Sequence, residues 1–86
     1  MGVFRIEESS PPRIGIVTSK RVGGAVVRNR TRRRLREISR AQLPLIVPGL
    51  LVVIVAKSSA AEAPFADLKA EWLLLARRLS ILRGSE

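Results

Sequence analysis

Over residues 25–41, Val27, Thr31, Leu35 and Ile38 recur at steps of three and four in a segment whose other positions are mostly arginine. That spacing predicts an α-helix with one apolar stripe. On a wheel of about 100° per residue the stripe fills an arc of about 80°, and Arg28, Arg32, Arg33, Arg36 and Arg40 fan across the opposite side. Such a helix has one place in a fold. It must lie on the surface of a core, with its stripe inward and its guanidinium groups in water or against a counter-charge.

The rest of the chain supplies a core for it. Residues 2–6 and 13–19 are short apolar stretches on either side of Glu7-Glu8-Ser9-Ser10-Pro11-Pro12, which predicts two strands and a loop. Residues 50–56 form a β-branched and aliphatic run between Pro48-Gly49 and Lys57-Ser58-Ser59, the pattern of a central strand covered on both faces. Leu68, Trp72, Leu75, Leu79 and Leu82 then alternate steps of four and three, so residues 66–82 read as a second amphipathic helix. The order is β-β-α-β-α, that of an α+β chain. At 86 residues it is a single domain, residues 1–86, with one modest core. The apolar residues 43–56 are interrupted by Pro44, Pro48 and Gly49 and are too few to span a bilayer, so no membrane partner is expected.

Charge points to the partner. Sixteen Lys and Arg against seven Asp and Glu leave a net charge of +9, and nine of the sixteen lie between Lys20 and Arg40, where Glu37 is the only acid. Within the helix the spacing sets Arg28 beside Arg32, Arg30 beside Arg33 and Arg34, and Arg36 beside Arg32, Arg33 and Arg40. Each like-charge pair costs about 0.2–0.5 kcal/mol, so six cost on the order of 1–3 kcal/mol. A small domain has roughly 5 kcal/mol in all. A solvated helix face normally mixes signs, and this one does not. The pattern therefore calls for a polyanion, and the preference for arginine over lysine suits bidentate phosphate contacts and stacking on bases. A DNA-reading helix needs varied side chains for base edges, which argues against DNA.

Catalysis by side chains is poorly provided for. There is no histidine and no cysteine, which removes the commonest transition-metal ligands and the usual neutral-pH base, and no metal site or catalytic residue is expected. The lack of cysteine also suits a cytoplasmic location. Glu7 and Glu8 are neighbours on a strand and point to opposite faces, so they cannot act as a pair. Asp67 and Glu71 lie near a helix start, where acids favour the dipole. Trp72 belongs to an apolar stripe and reads as core, not as a stacking platform. Arg34 sits at the edge of the first helix's stripe, where it would snorkel its charge outward. Two features stay open: the Asn29 amide either bonds a base edge or 2′-hydroxyl or bonds its own backbone. Gly23-Gly24 either lets backbone amides approach a phosphate or only makes a turn.

Arg13, Gly15, Lys20, Gly23, Ala25-Val26, Arg28-Asn29-Arg30, Arg32-Arg33 and Arg36-Glu37 stand in the order and spacing of a known signature, whose hallmark is the Arg-Asn-Arg segment. In this the chain resembles the bacterial ribonuclease P protein, from about residue 3 to residue 82. The resemblance implies the family's two-layer α/β sandwich, ordered α-β-β-β-α-β-α with a left-handed βαβ crossover, of which the first helix is missing here. It also implies a subunit that binds the catalytic ribonuclease P RNA and assists removal of the 5′ leader from precursor tRNA. The chemistry would belong to Mg²⁺ ions on the RNA, with no cofactor on the protein. Carried onto this sequence, the RNA contacts are Lys20, Arg21, Arg28, Asn29, Arg30, Arg32, Arg33 and Arg36. Family members open with a helix and a fuller first strand that bring aromatic residues to the leader cleft, whereas this chain starts almost at the strand. Phe4 is then either the remaining aromatic of that cleft or plain core, with Arg13 as a second leader contact. The competing reading is a structural ribosomal protein bound to ribosomal RNA, which shares the basic face but not the whole signature.

Overall fold

The computed structural model describes residues 1–7 and 11–83. Strands β1 (Gly2–Glu7) and β2 (Arg13–Thr18) precede helix α1 (Ala25–Gln42), then follow strand β3 (Leu50–Ala56), a short helix α2 (Ser58–Glu62) and helix α3 (Phe65–Arg78). Single 3₁₀ turns, Lys20–Val22 and Leu43–Leu45, lead into and out of α1. The sheet order is β1-β3-β2, with β1 antiparallel and β2 parallel to β3. The aliphatic run of β3 thus takes the central position, and α1 carries the chain between the two parallel strands. Of Glu7 and Glu8, the first pairs with Arg5 and the second lies outside the described residues.

Among the described residues the sheet is covered on one face only, which corrects the expectation for β3. Leu50, Val52, Ile54 and Ala56 are buried, whereas Leu51, Val53 and Val55 are half-buried. Strand register places the latter three beside Phe4 and Ile6 of β1 and Arg13, Gly15 and Val17 of β2. That side is an open and largely apolar surface. An unbroken aliphatic run cannot distinguish it from a covered one, because the flanking side chains shield these positions partly without a second layer.

Helix α1 seats its stripe as its spacing requires: Thr31, Leu35 and Ile38 are buried and Val27 packs at the margin. Two buried hydroxyls on this side are satisfied within the helix, Thr31 Oγ1 donating to the Val27 carbonyl at 2.9 Å and Ser39 Oγ to the Leu35 carbonyl at 2.7 Å. They therefore enter the core without an unpaired polar group. From α3 come Leu68, Trp72 and Ala76, all buried, so Trp72 is core as its stripe implies.

Helix α3 ends at Arg78, four residues short of the expected Leu82. Ser80 adopts φ 54°, its amide bonds the Arg77 carbonyl at 3.2 Å, and the Ile81 amide reaches back to Ala76 at 3.0 Å. This is the paired closure of a Schellman motif. Ile81 then turns into the core, and its carbonyl accepts from the Val47 amide at 2.8 Å. Leucine spacing alone continued the stripe because Leu79 and Leu82 do pack on the core, but from a turn. Arg5 clamps the same corner, its Nη1 donating to the Leu79 and Ser80 carbonyls at 2.9 Å each. The positive guanidinium meets the negative end of the helix dipole there.

The turn before α1 resolves half of the open question at the glycines. Gly23 has φ 148°, and a Cβ on it would stand 2.9 Å from both Cβ and Cγ1 of Val27. Nothing lies within 4 Å of a Cβ built on Gly24. Gly23 is therefore demanded by the fold, and Gly24 is not.

Two outcomes follow for urea unfolding. Gly23→Ala should cost about 1–3 kcal/mol, the strain of a side chain in that backbone region, while Gly24→Ser should be neutral or gain a few tenths from capping (~0.3 kcal/mol). Ser80→Gly should stabilise by about 0.5–1 kcal/mol, because glycine carries no penalty at the left-handed closing position.

Candidate nucleic-acid interface

The arginines of α1 are aimed outward by the stripe on its other side. Asn29, Arg30, Arg33, Arg36 and Arg40 are exposed, and Arg28 and Arg32 half-buried. Lys20 and Arg21, both exposed, extend the same surface from the 3₁₀ turn ahead of the helix. The eight residues expected to bind RNA thus lie on one helix and its approach.

They do not all stand free. Arg32 Nη2 donates to Thr18 Oγ1 at 2.7 Å, which ties the helix to the end of β2. Arg30 Nη2 donates to the Ala61 carbonyl at 3.2 Å, and Arg34 to the Ala63 carbonyl. These two contacts hold the C-terminal carbonyls of α2, a five-residue helix with no basic residue of its own in its last turn. Buried Ala60 and Ala61 let α2 sit close to α1. Helix α2 is too short to show a period in the sequence, and Arg34, expected to reach the surface, is half-buried and anchored instead. A guanidinium has five N–H donors, so Arg30 and Arg32 keep most of theirs for a ligand.

Among the described residues, Arg28, Arg33, Arg36 and Arg40 form no hydrogen bond or ion pair, and Glu37 neutralises none of them. The acids elsewhere serve the fold: Glu71 holds the amino terminus at 3.2 Å and Glu7 pairs with Arg5 at 3.0 Å. The repulsion along α1 is consequently left to solvent and to whatever binds there. Asn29 also has no partner, which removes the backbone-bonding alternative.

Between α1 and the edge strand β2 runs a crevice of about 420 Å³, floored by Ile14, Ile16 and Leu43 and rimmed by Arg13, Arg32, Arg36 and Arg40. An apolar floor under a cationic rim suits a strand of nucleic acid, phosphates on the rim and bases below. Arg40 was on the basic face by spacing but outside the expected contacts; its place one turn beyond Arg36 is the signal for it. Phe4 is 56% exposed, which excludes it from the core, yet it lies on the open face of the sheet, away from α1. Arg13 links the two regions, since it lines the crevice and its register places it on the open face. Among the described residues no cluster of three His, Cys, Asp or Glu could hold a metal ion, and no helix is long and apolar enough to cross a membrane.

Comparison with known proteins identifies the family and the fold. The sequence model of a family described as Ribonuclease P matches residues 2–80. The ribonuclease P protein component of Roseiflexus sp. is 48% identical over 75 residues, covering 86% of this chain and 62% of that protein. The Streptomyces avermitilis component is 53% identical over 62 residues, covering 71% of this chain and 50% of its own length. The chain therefore spans between half and two thirds of these curated relatives. The RNase P protein from Thermotoga maritima superposes with a TM-score of 0.77 at 27% identity, over 88% of this chain and 74% of that one. The Staphylococcus aureus RNase P protein shares the fold at a TM-score of 0.83 and 20% identity, over 94% and 75%.

Arg36 stands one turn from Arg32, Arg33 and Arg40 and bonds nothing in the described fold. Arg36→Gln should therefore raise the stability of the free protein by about 0.5–1.5 kcal/mol at low salt. The gain should fade towards about 1 M salt, where screening shortens to roughly 3 Å. Urea titrations at the two salt concentrations measure this, and a loss of stability would mean that Arg36 has a structural partner.

Proposed function

The chain belongs to the ribonuclease P protein family, and we propose that it binds the catalytic RNA of a bacterial ribonuclease P and assists removal of the 5′ leader from precursor tRNA. The observation that carries this reading is the row of guanidinium groups on α1 that no carboxylate of the described chain neutralises. Folded RNA supplies the missing charge, and arginine forks match its phosphates in pairs. The same family match and relatives favour this reading over a ribosomal RNA binder.

The work of the protein is positioning. Guanidinium groups offer donors only, so the residues facing the crevice bind and orient phosphates without serving as proton acceptors. Bond cleavage is assigned to Mg²⁺ ions on the RNA, with no cofactor on this chain. The leader would run along the crevice between β2 and α1, with Arg13, Arg32 and Arg36 on its phosphates and Ile14 and Ile16 beneath. Phe4 would meet a base only where the strand crosses the β2 edge onto the open sheet face. The complex is assigned to the cytoplasm, where tRNA precursors are processed, and DNA is not a partner.

Reconstitution tests the proposal. Added to a bacterial ribonuclease P RNA at low magnesium, the protein should stimulate precursor tRNA cleavage; absence of stimulation together with tight ribosomal RNA binding would overturn it. With about 5–8 phosphates contacted, log affinity should fall with log salt at a slope of roughly −4 to −7. Replacing Arg28, Arg33 and Arg36 by glutamine should flatten that slope by about 2–3, and an unchanged slope would remove α1 from the interface.

A further inference from the structure

Val26 is 83% exposed, more than any other large apolar side chain of the described structure. It occupies the first turn of α1, where a β-branched residue weakens a helix relative to alanine and packing returns nothing. One turn on stands Asn29, exposed, without a partner, and equally unfavourable in a helix interior. Arg30 and Arg33 complete the neighbourhood at the next helical spacings, and the four side chains line a shallow concavity of about 490 Å³ on the outer side of the helix. Two adjacent residues that burden the free helix, set among cations, have their use in the bound state.

We infer that Val26 and Asn29 together form a ribose contact, in which a sugar of the bound RNA lies on the Val26 methyl groups and its 2′-hydroxyl meets the Asn29 amide. Arg30 and Arg33 take the phosphates on either side. The occupant is identified by its chemistry: the surroundings are cationic and no acid lines the concavity, so the partner is a polyanion carrying an apolar carbon surface beside a hydroxyl. A nucleotide sugar has both. The wide, shallow minor groove of an A-form helix presents such sugars to a convex helix face, whereas a B-form minor groove is narrow and lacks the hydroxyl. The assignment rests on α1 being the RNA-binding face.

Val26→Ala separates affinity from folding, because it improves the free helix. Its thermal midpoint should stay level or rise by about 2–4 °C, while affinity for a bacterial ribonuclease P RNA should fall about 4- to 15-fold. The salt slope should not change, since no phosphate contact is lost. Val26→Ala and Asn29→Ala should each also lower the preference for an RNA duplex of about 16 base pairs over the DNA duplex of the same sequence. If Val26→Ala binds the RNA as tightly as the parent while the Arg28, Arg33 and Arg36 glutamine variant is impaired, the ribose contact is refuted and the proposed function stands. If affinity falls but the RNA-to-DNA preference is unmoved, the contact is not to the sugar. Should the glutamine variant bind unimpaired, the RNA-binding face itself is wrong and this contact with it.

Discussion

Everything on the outer surface of this protein depends on how α1 is held from beneath. Thr31, Leu35 and Ile38 are driven into the core by the ordinary gain of removing apolar surface from water. Because a helix is rigid, burying those three positions sets Arg33, Arg36 and Arg40 on the exposed side. The fold thus spends core packing on a surface arrangement that opposes itself electrostatically. The internal i−4 bonds of Thr31 and Ser39 matter for the same reason, since they let polar residues sit on the anchoring side without loosening it.

Arginine also has a second use on this helix. Arg32 fastens α1 to the end of β2, and Arg30 and Arg34 close the exposed end of α2. Arg30 and Arg32 each use a minority of their N–H groups in this way, so the side chain is held in place while most of its donors stay available. A guanidinium fixed in this way loses less freedom on meeting a phosphate than one that waves in solvent. The basic surface of α1 is therefore a mixture of preorganised and free cations.

How much of this could be read from residues alone depends on the kind of signal. Helix α1 was legible because stripe and charge agree, and β3 was legible as an element because its aliphatic run is bounded by turn residues on both sides. The open face of β3 was not, since Leu51 and Val53 look the same in a sequence whether a layer covers them or only Phe4 and Ile6 flank them. Helix α2 is shorter than two turns and leaves no periodicity. The end of α3 was hidden by Leu79 and Leu82, which keep the apolar spacing while a serine, not the usual glycine, adopts the closing conformation. In the interface, the basic row was plain from spacing. That Arg34 turns inward, and that Phe4 lies across the sheet from α1, are decided by tertiary contacts that no local pattern encodes.

Among the described residues the sheet has three strands, and β1 and β2 each leave one backbone edge unpaired there beside an apolar face. Edges of that kind invite neighbouring molecules to add strands. The net charge of +9 opposes such an approach between copies of this chain. A polyanion that neutralised this charge would lower the barrier, so stoichiometry would govern solubility. With polyanion in excess each molecule would be carried into a strongly negative particle, whereas near charge balance the exposed edges would be left to find one another.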